Sequence, residues 1–156
     1  MLIAIRTELE RAIGKALPDW KRFSARVQRI SEGDLPCVNM FFQSDRLIEE
    51  GNGLERREVM AQIEAGFIVK GDAEEELDAV RSQIEDAIGS SSVLALKVLK
   101  LVFPNVEFAH DMTGGQRVAV LMMSARIDYD RATASRKSQA INPGLVPTIN
   151  GEKTDG

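Results

Sequence analysis

The chain has 156 residues, 44% of them hydrophobic and 28% charged, with a net charge of −4 and a pI near 5.1. That length suits one domain with a real core, and the acidic balance excludes a protein that binds nucleic acid through bulk electrostatics. Its one cysteine, Cys37, excludes an internal disulfide or a cysteine-cluster metal site, and no apolar run approaches the roughly 18 residues needed to span a bilayer.

Residues 1–5 are apolar, but Arg6, Glu8, Glu10 and Arg11 interrupt the run and the basic-then-apolar order of a signal peptide is missing, which points to a cytoplasmic protein. Residues 2–17 read as an amphipathic helix. Leu2, Ile5, Leu9, Ile13 and Leu17 share one stripe, Ala12 and Ala16 lie beside it, and Pro18 ends it. Residues 23–30 alternate Phe23, Ala25 and Val27 with Ser24, Arg26 and Gln28, the pattern of a short edge strand. Ser31-Glu32-Gly33-Asp34 is a turn. Leu35-Pro36 then leads into a strand over residues 37–43. Val38, Met40 and Phe42 alternate there with Cys37, Asn39 and Phe41, so each face carries a large side chain and the strand is expected to be central or covered twice. Residues 44–55 are polar around Gly51-Asn52-Gly53, with Leu47 and Ile48 the only adjacent apolar pair before Leu54. A protruding hairpin or mobile loop is expected there.

Residues 57–89 organise the rest. Val59, Ala61, Ile63, Ala65, Phe67 and Val69 recur with a period of two, the mark of a strand burying one face. At Gly71-Asp72 the period changes. Asp72 can accept from the first open N–H groups of a helix, Glu75 stands at capping-box spacing, and Glu74, Glu75 and Glu76 suit the positive end of the dipole. Leu77, Val80, Ile84 and Ile88 follow at helical spacing, and Gly89 fits a left-handed C′ position. Ser90 to Ser92 can cap a second helix. Val93, Leu94, Leu96, Val98, Leu99 and Leu101 make it apolar nearly all round, Lys97 and Lys100 are its only charges, and Phe103-Pro104-Asn105 breaks it. Residues 106–112 form a plausible strand, Thr113-Gly114-Gly115 a hairpin turn. In the last strand, residues 116–130, Ala119, Leu121, Met123, Ala125, Ile127 and Tyr129 mark one apolar face. Val118, Val120 and Met122 make the other apolar too, and the remaining chain hardly supplies a cover for it. From Arg131 the composition shifts to Ala, Thr, Ser, Gln, Asn, Pro and Gly, with Arg131, Arg136 and Lys137 basic and no acid until Glu152. Residues 131–156 therefore read as an extended or disordered arm, distinct from a domain over residues 1–130.

Candidate chemistry is sparse. His110 and Asp111 are adjacent, so in a strand they face opposite ways and form no acid/base dyad. Cys37 starts a strand with no histidine motif around it and reads as a small buried side chain. The Asp72 to Asp78 carboxylates are accounted for by the helix dipole without a metal. Gly114-Gly115 and Gly51-Asn52-Gly53 lack the spacing of a phosphate loop. Arg126, Asp128, Asp130 and Arg131 bring charges of both signs to the end of the last strand, as inter-subunit ion pairs or a solvated face would. No catalytic, metal or cofactor residue is assigned, and the chain is not read as an enzyme.

Asp34-Leu35-Pro36, Arg57-Glu58-Val59 with Ile63-Glu64, Glu75-Glu76-Leu77-Asp78 and the terminal Tyr129, in this order of elements, make residues 1–130 resemble the tail terminator proteins of long-tailed bacteriophages, the minor tail protein U family of lambda-like phages. The resemblance implies an α/β (α+β) fold: a mixed, mostly antiparallel sheet of four to five strands with two to three helices packed on it. It also implies a structural virion protein, assembled in the host cytoplasm as a ring of six copies at the head-proximal end of the tail. Such a ring stops tube polymerisation and offers the head connector its joining surface. Its partners would be itself, the tail-tube protein and the connector or neck protein, with no membrane, no cofactor and no sequence-specific nucleic acid. On that expectation Val118, Val120, Met122, Arg126, Leu96 and Lys97 are candidate subunit contacts. Arg46, Leu47, Ile48, Glu49, Arg131, Arg136 and Lys137 are candidate contacts to the tube or neck. Two further readings are a neck or head-completion protein and a small cytoplasmic module binding a ligand or nucleic acid.

Overall fold

The computed structural model of the chain describes residues 1–24 and 31–133. The elements run α1 (Leu2–Ala16), β1 (Lys21–Ser24), a 3-10 turn (Glu32–Asp34), β2 (Cys37–Gly51), β3 (Leu54–Ile68), α2 (Ala73–Gly89), α3 (Ser92–Lys97), β4 (Lys100–Thr113) and β5 (Gln116–Ala132). Five strands form one sheet in the order β1-β2-β3-β5-β4; β1 is parallel to β2 and every other pairing is antiparallel. This is the mixed, mostly antiparallel α+β architecture that the resemblance implies.

The core lies on one face of the sheet. Ile63 pairs with Met123, Ala61 with Ala125, Ala65 with Leu121 and Val59 with Ile127, and all eight are completely buried. Ile5, Leu9 and Ile13 of α1, Leu77 and Ile84 of α2 and Leu94 of α3 join them in a single cluster, so all three helices pack on that face. Each large aliphatic side chain so buried stabilises the fold by about 1.5–3 kcal/mol relative to exposure. The period-two stripe of β3 and the helical stripes of α1 and α2 meet here because each alone would leave its apolar side in water.

Several boundaries differ from the sequence expectation. Of the two expectations for residues 44–55 the hairpin holds, with longer strands than expected: they are the outer arms of the β2–β3 hairpin, closed by Asn52 (φ 53°) and Gly53 (φ 77°), the two left-handed positions of a type I′ turn. Apart from the half-buried Asp45 and Gly53 and the buried Glu55 these residues are exposed, and their polarity reflects that exposure. The second short helix does not reach Leu101; α3 ends at Lys97 and Lys100 already belongs to β4. The apolar run that looked helical splits: Leu94 fills the core, Leu101 sits in register with Ile127, and Leu96 is 89% exposed. Pairing with β5 outweighs local helix spacing. Phe103-Pro104-Asn105 lies inside β4, where the register slips between Val102 and Asn105; an edge-strand bulge is where a proline is tolerated. Gly89 is the last residue of α2 and not left-handed, the cap being Ser90 in the right-handed region. β5 continues past residue 130 to Ala132, and the Thr133 N–H donates to the Gly53 carbonyl at 2.9 Å. The expected edge strand is present as Lys21–Ser24; residues 25–30, and residues 134–156 of the expected arm, lie outside the described residues.

Candidate functional site

The residues that invited catalytic readings do not converge. His110 and Asp111 are exposed and alternate along β4, in register with Ala119 and Val118 respectively, and the Asp111 carboxylate accepts from the Met112 N–H at 2.7 Å. Cys37 is completely buried. At the start of α2, Asp72 accepts from the Glu75 N–H at 2.9 Å. Glu76, and not Glu75, turns back onto the Lys70 and Gly71 N–H groups. Those carboxylates cap a helix. Among the described residues no group of three or more His, Cys, Asp or Glu side chains could hold a metal ion, and no helix is long and apolar enough to cross a membrane.

The sheet face turned away from the helices is the larger feature. Along β5 its residues are Val118, Val120, Met122, Ser124, Arg126 and Asp128, all half-buried, while the alternate residues Ala119 to Tyr129 are buried. Cross-strand neighbours divide the face into zones. Val118 lies between Ile68 and Asp111, and Val120 between Gly66 and Ala109. A Cβ on Gly66 would meet Leu35 Cδ2 at 3.1 Å, so Leu35 lies over this apolar end. Met122 lies between Glu64 and Glu107. At mid-height the Ser124 hydroxyl donates to Gln62 Oε1 at 3.1 Å, and Gln62 is buried. Further down, Glu58 lies between two guanidinium groups, 3.0 Å from Arg46 Nε and 3.8 Å from Arg126 Nε.

The β2–β3 hairpin and the end of β5 form the second feature. Arg57 donates to Asp45 at 3.0 Å and to Glu55 at 2.9 Å, and the Tyr129 hydroxyl donates to Asp45 Oδ2 at 3.0 Å. Burial, then the bond to the Asp45 carboxylate, push the Tyr129 phenol above its usual value. The bond and charge of Asp130, 3.2 Å away, likewise raise Arg56. This ladder stiffens a projecting ribbon whose flank exposes Leu47, Ile48 and Leu54.

Of the sequence-selected residues, Val118, Val120, Met122 and Arg126 share the sheet face without helices. Leu96 and Lys97 sit on α3 in the helix layer, so the six do not make one patch. Arg46, Leu47, Ile48 and Glu49 lie together on the outer arm of β2, with Arg131 two strands across in the same ribbon; Arg136 and Lys137 are outside the described residues. Sequence reasoning missed Asp45, Arg57, Glu64 and Glu107, whose roles depend on cross-strand neighbours far away in the chain. No family model matches the chain, and no sequence among curated proteins matches it. Among solved structures the chain is similar to one from the virion of a native gene transfer agent particle, with a TM-score of 0.46 and 16% identity, covering 82% of this chain and 94% of that one.

Proposed function

We propose that this protein is a structural virion component that works by self-association: a tail terminator whose six copies close into a ring on the end of the tail tube, stop its growth and present the joining surface for the connector. The observation that carries this reading is the two-faced sheet. Among the described residues every helix packs on one side, while Val118, Val120 and Met122 remain half-buried on the other. A like neighbour supplies the missing layer, and a heterologous contact between two different patches closes into a ring. The resemblance of residues 1–130 to tail terminators supplies the tube and connector as the other partners. The projecting β2–β3 ribbon, with Leu47 and Ile48 exposed, is the element that reaches them.

Sedimentation of the full chain over a range of concentrations, with electron microscopy of the heaviest species, tests the ring. Val120→Asp is expected to stay soluble and lose assembly. Met122→Lys is the cleaner partner variant, because in the isolated subunit the new ammonium lies between Glu64 and Glu107 and folding is preserved. Wild-type assembly in both variants would remove this face from the contact. A wild-type chain that stays monomeric at every concentration and on purified tail tubes would overturn the function.

A further inference from the structure

The subunit's own fold leaves two surfaces incomplete. One is the upper part of the open sheet face, where Val118, Val120 and Met122 run along β5 and three carboxylates border them: Glu64 on β3, Glu107 and Asp111 on β4. No lysine or arginine stands in register with these three apolar residues. Glu64 is half-buried, and its side chain has no hydrogen bond or ion pair among the described residues. Glu107 has only the Asn105 side-chain amide, at 2.9 Å. Covering this zone calls for a surface that is apolar at its centre and basic at its rim.

Such a surface stands on the opposite side of the same subunit. In α3, Leu94 is turned into the core, whereas Val93 is 39% and Leu96 89% exposed; three residues apart in a helix, they share a face. Lys97 follows Leu96 and takes part in no ion pair among the described residues. The dimensions agree. The 6 residues of α3 make a helix about 9 Å long. The zone on the open face measures about 13 Å from Val118 to Met122 along the strand and about 10 Å from Glu64 to Glu107 across it.

We propose that α3 of one copy docks on the open sheet face of the next, Leu96 against Val120 and Met122, and Lys97 against the Glu64 and Glu107 carboxylates. The inference rests on the self-association proposed above and names the two halves of its contact. The occupant is a neighbouring copy for a geometric reason. Helices and open face lie on opposite sides of one sheet, so a subunit cannot bring its own pair together, while every subunit carries one of each. Each docking event leaves one knob and one acceptor free at the two ends, and the contact repeats until a ring closes. Lys97 and the Glu64–Glu107 pair compensate each other's charge as all three leave water.

Two charge reversals that fail alone and succeed together test it, read by sedimentation of the full chain. Lys97→Glu in one chain, and Glu64→Lys with Glu107→Lys in another, are each expected to raise the concentration needed for assembly roughly tenfold or more, with thermal midpoints near that of the wild type. Mixed one to one, the two chains should recover the wild-type mass, because alternation around an even ring sets opposite charges at every contact. Leu96→Asp, at a position bare in the isolated subunit, should lose assembly without disturbing the fold. Failure to recover on mixing, or wild-type assembly by any of these chains alone, overturns the contact and leaves the ring standing. A wild-type chain that is monomeric at every concentration, but whose binding to purified tail tubes is lost with Glu64→Lys and Glu107→Lys, puts a different protein on this face and overturns the inference.

Discussion

Tyr129 shows how much one residue's role depends on partners that are distant in the chain. Its ring is buried in the core, while its hydroxyl reaches out to Asp45, which Arg57 also holds. Because the folded phenol titrates above its ordinary value, the native state keeps a proton that the unfolded chain gives up at about pH 10. This contribution to stability is complete below that pH and is lost as pH rises through the elevated folded value. Urea unfolding from pH 8 to 11 should show that fall, and Tyr129→Phe should flatten this part of it. At pH 7 the same variant should cost about 1 kcal/mol, the worth of a hydrogen bond to a carboxylate that keeps its other partner. Tyr129 was legible as an apolar position in the last strand. Its partner was not, since nothing in the local pattern selects Asp45 from the other carboxylates.

At the scale of elements, legibility follows the number of residues that repeat a pattern. β3 and α2 repeat theirs many times over, and the buried sets Val59 to Val69 and Leu77 to Ile88 are those the spacing predicts. The Asp72 cap is also as expected, and Asp72→Ala should lower stability by about 1 kcal/mol in urea unfolding. The return contact comes from Glu76, one place later than the capping box predicts, because the Lys70-Gly71 turn offers its N–H groups there. The run around α3 was misread for an energetic reason. One turn of helix gains little, whereas β4 gains a full ladder with β5 and inserts Leu101 and Val106 beside the core.

For the whole molecule, the proposed self-association predicts that changes on the two sheet faces have separable effects. Ile63→Ala, at the completely buried centre of β3, should cost about 2–5 kcal/mol and leave the mass of the wild-type assembly unchanged under native conditions. Met122→Lys on the opposite face should leave the unfolding midpoint nearly unchanged and reduce the mass in sedimentation. Equal effects of the two variants on both measurements would mean that the second face is simply part of the core.

Sequence alone determined the type of each long element except the first part of β4, the buried stripes of α1, β3, α2 and β5, and the presence of a second apolar face on β5. These depend on periodicity, and periodicity is local. Tertiary structure decided which strands are neighbours and that the polar 44–55 region is a stiff ribbon. It also placed Met122 between two glutamates and put Leu96 and Val120 on different sides of the molecule. Those outcomes depend on pairing across tens of residues, where a half-buried side chain takes its meaning from whichever strand the fold lays beside it.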